Sequence, residues 1–120
     1  RKGIGKSLIE RACAKACDMG FAAVLLCGDP LYYARAGFEP AQKYGVRTQD
    51  DQFMDALQIR ALAIEMLSAC AGRYFVDPIF DVDEAAAQRF DQEFEAKIKI
   101  QGTASQKRFA ELAAKRRPYL

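Results

Sequence analysis

The sequence contains no histidine. The side chain that most readily serves as a general base near neutral pH is therefore missing. So is the commonest metal ligand, and no Cys-x-x-Cys pair makes up for it. The four cysteines are Cys13, Cys17, Cys27 and Cys70, and only the first two stand one helical turn apart. That spacing gathers too few ligands for zinc. The cysteines read as small buried thiols of a reducing, cytoplasmic setting, with no metal expected. No apolar run reaches the ~18 residues that a membrane span needs. The first residues are basic but lack the apolar core and small-residue cleavage site of a signal peptide. Net charge is only +2, too small a field to imply nucleic acid. The basic stretch from Lys107 to Arg117 has Phe109 as its single aromatic and lacks the series of interleaved aromatics of a strand-binding surface. With 51% hydrophobic and 28% charged residues in 120, the chain belongs with folded globular proteins and suits one small domain or part of one.

What is present comes first in the chain. Arg1-Lys2-Gly3-Ile4-Gly5-Lys6-Ser7 runs directly into an amphipathic helical pattern. A helix N-terminus carries unpaired N–H groups and a partial positive charge. Glycines let a bulky anion approach those groups. The segment therefore reads as a phosphate cradle, with Lys6 adding charge. Cradles of this kind follow a strand, so strands are expected upstream of Arg1.

Behind the cradle, Ile4, Leu8, Ile9, Ala12, Cys13, Ala16 and Met19 recur at three- and four-residue steps, one face of a helix that Gly20 ends. Phe21 to Cys27 is an unbroken apolar run, predicted as a strand buried on both faces. Helix then buried strand predicts an α/β domain of the α+β type, a mixed sheet flanked by helices. Asp29 is placed to cap a short helix with Pro30 at its first position, ending at Gly37. Phe38 to Ala41 is expected to be extended, Lys43 to Gln52 a loop, and Phe53 to Ile59 a second strand. Leu62 to Cys70 suits a short helix or an irregular turn, and Arg73 to Val76 an edge strand.

Past Asp77 the composition changes. Residues 77 to 96 carry seven acidic side chains against Arg89 alone, and residues 97 to 120 carry seven basic ones against Glu111 alone. Two helices of opposite charge are predicted, split near Gly102, with Thr103 or Ser105 capping the second and the two charges free to pair. A boundary is accordingly set at residue 80, giving a domain over 1–80 and a charged helical extension over 81–120.

Two motif readings compete for the glycine loop. Gly5-Lys6-Ser7 matches the end of a Walker A loop, and Val24 to Asp29 imitates a Walker B strand. Alternatively Gly3 and Gly5 fill the small positions of the acyl-CoA loop Gln/Arg-x-x-Gly-x-Gly/Ala. In both readings the leading residue falls one place before Arg1.

The next segment separates them. Gly28-Asp29-Pro30-Leu31-Tyr32-Tyr33-Ala34-Arg35-Ala36-Gly37-Phe38 resembles the distal motif of the GNAT N-acetyltransferase superfamily. Tyr33, Gly37 and Phe38 meet its Tyr-x-x-x-Gly-Phe pattern, in a form like that of a bacterial branch. The resemblance covers roughly residues 1 to 80 and implies the GNAT fold, acetyl-CoA as donor and an amine, small molecule or protein, as acceptor. It implies that Arg1, Lys2, Gly3, Ile4, Gly5, Lys6, Ser7 and Tyr32 contact the coenzyme and that Tyr33 is the general acid for the leaving thiolate. The general base is expected outside this chain. A P-loop nucleotide-binding fragment, and a non-catalytic module or homodimer using the charged helices, are the alternatives.

Overall fold

The computed structural model describes residues 2–119. Among them are five α-helices: α1 (Ile4–Asp18), α2 (Pro30–Tyr33), α3 (Ile64–Leu67), α4 (Glu84–Asp91) and α5 (Ala104–Ala114). The strands are β1 (Ala23–Cys27), β2 (Glu39–Pro40), β3 (Val46–Arg47), β4 (Gln52–Met54), β5 (Leu57–Ala61), β6 (Gly72–Arg73) and β7 (Arg116–Pro118). Helices and sheet combine as the sequence predicts.

The central sheet has the order β1-β5-β2, and β5 runs antiparallel to both neighbours. Ala23 lies opposite Ala61 and Leu25 opposite Ile59. Because side chains alternate along a strand, these four share one face. That face carries the core, built from Ala41, Val46, Leu57, Ile59 and Leu67. β3 and β6 form a short parallel ladder, and β4 and β7 an antiparallel one.

Several expectations are corrected. The predicted strand over Phe21 to Cys27 is shorter, and its residues are half-buried, with Cys27 exposed. It pairs with β5 on one flank and makes no ladder on the other among the described residues, so a continuous apolar run is not matched by burial on both faces. The predicted strand over Phe53 to Ile59 is two strands with a turn at Asp55-Ala56. The break arises because the two halves answer to different partners: β4 pairs with β7, and β5 with β1 and β2. Buried Ala56 closes the turn by accepting a 2.8 Å hydrogen bond from the Gly28 N–H. The loop expected over Lys43 to Gln52 contains β3, and a 3-10 turn runs over Ala41–Tyr44 just before it. The edge strand expected over Arg73 to Val76 starts one residue earlier and ends at Arg73. The stretch over Leu62 to Cys70 resolves as the four-residue helix α3.

The helical face of α1 is also less covered than its periodicity implies. Cys13 is its one buried residue, while Ile4 and Leu8 are about two-thirds exposed at 64% and 65%. Toward the C-terminus both predicted helices form. Asp83 caps α4, and Thr103 caps α5 in a reciprocal box with Gln106. The two segments of opposite charge pair once among the described residues, Lys99 to Asp91 at 3.4 Å. Three arginines of the basic segment reach the first part of the chain: Arg108 to Asp29 at 3.1 Å, Arg116 to Asp50 at 3.3 Å and Arg117 to Asp55 at 2.6 Å. β7, which the sequence did not predict, then adds to β4. Among the described residues no helix is long and apolar enough to cross a membrane.

Burial ranks the positions. Ile59 is 1% exposed, so Ile59→Ala is expected to lower unfolding free energy by about 2–5 kcal/mol in urea titrations. The exposed Ile4→Ala, by contrast, should stay within about 0.5 kcal/mol of the parent.

Candidate functional site

The site is built around the start of α1. Gly3 stands just ahead of the helix at φ +77°, a left-handed conformation that a side chain would disfavour. The first intrahelical bond described runs from the Ser7 N–H to the Gly3 carbonyl at 3.0 Å. The N–H groups of Ile4, Gly5 and Lys6 are thereby left without an intrahelical acceptor. No side chain caps them, and the first turn holds no acidic residue. The positive end of the helix dipole is therefore unneutralised. Ser7, by contrast, has spent its N–H inside the helix and keeps only its hydroxyl for a ligand. Arg1 lies outside the described residues, and Lys2 is exposed beside the loop.

Across from this end lies α2. Asp29 caps it, accepting from the Leu31 N–H at 3.0 Å, with Pro30 at the first position. A 3-10 turn over Ala34–Ala36 continues the helix until Gly37, at φ +81°, ends it. On so short a helix, residues three apart share a face and adjacent ones do not. Tyr32 and Arg35 accordingly point together toward α1. With Lys6, Ile9 and Ala36 they line a cavity of about 170 Å³. A Cβ added to Gly5 would lie 3.0 Å from the Tyr32 hydroxyl, so the glycine is what leaves room there.

Tyr33 faces elsewhere. Its ring packs edge-on against Phe38, with centroids 5.6 Å apart, and against Tyr32 at 4.9 Å. It also lies over Gly28 at the end of β1, where a Cβ would come within 2.2 Å of its Cε2. Tyr33 is half-buried, and its hydroxyl has no hydrogen-bond partner among the described residues. The structure thus brings Gly5, Lys6 and Tyr32 together and sets Tyr33 on the adjoining face of α2. Arg35 and Ile9 were missed in the sequence. The i, i+3 spacing from Tyr32 to Arg35 was the available signal for the former.

Electrostatics separates the candidates further. Asp29 is held below the usual carboxylate range by its bond to Arg108, then by the Leu31 N–H. Both oxygens are engaged, with Arg108 Nε at 3.1 Å from Oδ2 and Nη2 at 3.5 Å from Oδ1. An aspartate committed to a cap and an arginine is poorly suited to hold magnesium, which removes the acid from the Walker reading. Cys27 is pushed up by desolvation, only partly opposed by Arg116, so its thiol is not prepared as a nucleophile.

No protein-family model matches the chain. Among curated proteins it is 31% identical over 71 residues to the uncharacterized N-acetyltransferase YhbS of Escherichia coli strain K12, a match covering 59% of this chain and 42% of that protein. The YhbS proteins of strains O157:H7 and O6:H1 match with the same figures. The crystal structure of the GNAT family N-acetyltransferase YhbS from Escherichia coli in complex with CoA superposes with a TM-score of 0.60. It is 29% identical, and the match covers 66% of this chain and 44% of that one. The chain is similar in sequence and in fold to GNAT N-acetyltransferases. Its fold over that shared two-thirds is of GNAT type, as the Tyr-x-x-x-Gly-Phe segment implied. It spans less than half the length of the relatives it matches.

Two tests follow from the GNAT-type geometry around Gly28. Gly28 has no positive φ, so Gly28→Ala acts through collision with the Tyr33 ring and not through the backbone. The variant should shift the Tyr33 ring resonances in NMR and cost about 1–3 kcal/mol of stability. Secondly, the folded pKa of Asp29 is depressed, so its contribution is present above the ordinary value of 3.8 and lost as pH falls through the lowered one. The stability gap between parent and Asp29→Asn should therefore narrow as urea titrations are taken below pH 3.8.

Proposed function

We propose that this chain supplies the coenzyme-binding wall and the general acid of an acetyl-CoA-dependent N-acetyltransferase acting on a primary amine. The observation that carries the reading is the open end of α1: three unpaired N–H groups, no cap, no acid, and a cavity beside it lined by Lys6, Tyr32 and Arg35. A diphosphate fits that donor set without a metal. The likeness to a GNAT structure in complex with CoA supports the same assignment.

Acetyl-CoA would supply an activated acyl group as a thioester. Gly3, Ile4, Gly5 and Lys6 would hold its diphosphate through their N–H groups, with the Lys2 and Lys6 ammonium groups adding charge and the Ser7 hydroxyl a further polar contact. Arg1 is assigned to the same loop. Tyr32 and Arg35, over Gly5, would close on the coenzyme from α2. Tyr33 has a hydroxyl free to donate a proton, and it stands at the end of β1, where the acyl end is assigned. Donation by Tyr33 would neutralise the thiolate as the carbon–sulfur bond breaks. With no histidine in the chain, the group that takes the proton from the amine is assigned outside these residues. The reading carries a cytoplasmic setting with it, in keeping with four cysteines expected as reduced thiols.

Isothermal titration should show acetyl-CoA binding that needs no magnesium, whereas magnesium-dependent ATP binding would point to a nucleotide site. In the complete protein, Tyr33→Phe should lower acetyl transfer by about 10²–10⁴-fold while leaving acetyl-CoA affinity nearly unchanged. Unchanged turnover would remove Tyr33 from the mechanism.

A further inference from the structure

A second cleft, of about 370 Å³, lies where the C-terminal segment crosses the first part of the chain. Its floor is apolar, formed by Leu31 from α2, Pro40 from β2, Met54 from β4 and Leu112 from α5. Its rim is cationic, with Arg108, Lys115 and Arg117 against the single carboxylate of Asp55. A concave apolar floor with a few convergent charged groups is the usual form of a small-molecule site.

The charges are not equivalent. Arg108 is tied to Asp29, and Arg117 to Asp55 and Gln42. Each arginine is thus fixed in place and matched by an acid. Lys115 makes no ion pair among the described residues. It is held over the cleft by its own backbone: its carbonyl accepts from the Asp55 N–H at 3.1 Å, and its N–H donates to Leu112 at 3.2 Å. The cleft therefore presents one uncompensated positive charge above an apolar floor, backed by two immobilised guanidinium groups. That combination selects a ligand with an anionic head on a short apolar body, since a neutral ligand gains nothing from Lys115 and a cation is repelled.

Position relates the cleft to the reaction. Leu31 on its floor lies two residues before Tyr33 on the same helix. Asp55, on its rim, precedes Ala56, whose carbonyl binds the Gly28 N–H at the end of β1. The cleft's lining is thus joined, through α2 and through the Asp55-Ala56 turn, to the end of β1 to which the acyl group is assigned. We propose that the cleft binds the acidic end of the acceptor, so that the acetylated molecule is a small amine that also carries an anionic group on an apolar chain. This step rests on the acetyltransferase reading for its meaning, but binding in the cleft is testable without it.

The test is an NMR titration of the full chain with three six-carbon probes: hexanoate, hexyl phosphate and neutral hexanol. The amides of Leu31, Met54 and Leu112 should shift with at least one anion, and that anion should bind about tenfold more tightly than hexanol. Preference for hexanoate would mark a carboxylate-bearing ligand, and preference for hexyl phosphate a phosphorylated one. Lys115→Ala keeps the backbone bonds that hold the segment, so it should erase the advantage over hexanol while leaving the spectrum otherwise intact, and Lys115→Arg should restore it. Equal binding of anions and hexanol, shifts elsewhere in the chain, or a preference unaffected by Lys115→Ala would each overturn the proposal. Acetyl-CoA titrated onto the same samples separates the two readings. Cleft binding without coenzyme binding would leave the site standing and sink the acetyltransferase, and the reverse would do the opposite.

Discussion

The pairing of β5 on both of its edges is the constraint on which the rest of the molecule depends. Leu57, Gln58 and Ile59 are each about 1% exposed, the deepest run in the chain. Their backbone groups are out of reach of water and must be satisfied by β1 and β2. Gln58 resolves its own buried amide locally, donating to the Asp55 carbonyl at 2.9 Å, and so fixes the turn that precedes the strand. That turn in turn holds Gly28 through Ala56. The end of β1, the cap of α2 and both tyrosines are therefore positioned from β5 outward. The candidate site rests on a buried ladder although its own residues are largely exposed.

The C-terminal segment joins this frame by a different balance of forces. Its three ion pairs to Asp29, Asp50 and Asp55 are partly or largely solvated, and pairs of that kind are worth roughly 0–1 kcal/mol each. Leu112, 3% exposed, and the β4–β7 ladder bring burial and backbone pairing that the charges lack. The ion pairs then set register: they decide which arginine meets which aspartate, and among the cationic side chains lining the second cleft they leave Lys115 unmatched.

Features encoded by a few neighbouring residues were legible in the sequence. The glycine loop running into α1, the Asp29-Pro30 start of α2, its stop at Gly37 and the Thr103 cap of α5 all form as the local chemistry dictates. What was not legible depends on partners distant in the chain. The division of Phe53 to Ile59 into two strands follows from β7, more than sixty residues on, and no local signal marks it. The half-burial of β1 follows from its having one flanking strand among the described residues, which an apolar run does not report. The site shows the same split. The spacing of Tyr33, Gly37 and Phe38 was readable as a motif, but the turning of Tyr32 toward α1 and Tyr33 toward Gly28 required the helix itself.

The two helix ends that meet at the site explain why an anion would settle on one and not the other. Both α1 and α2 begin with unpaired N–H groups. At α2 the first residue, Pro30, has no N–H, the Asp29 carboxylate accepts from Leu31 and the Asp29 carbonyl from Tyr32 and Tyr33, and the carboxylate is itself neutralised by Arg108, leaving neither donors nor field for a ligand. At α1 the corresponding position is Gly3, which has no side chain to offer. The donors and the dipole remain available there, and Lys6 and Arg35 add charge of the same sign. One substitution of type, aspartate at one start and glycine at the other, thus divides the labour between two otherwise similar turns. The capped helix is a mount for the two tyrosines, and the uncapped one is left open as the proposed receptor for phosphate.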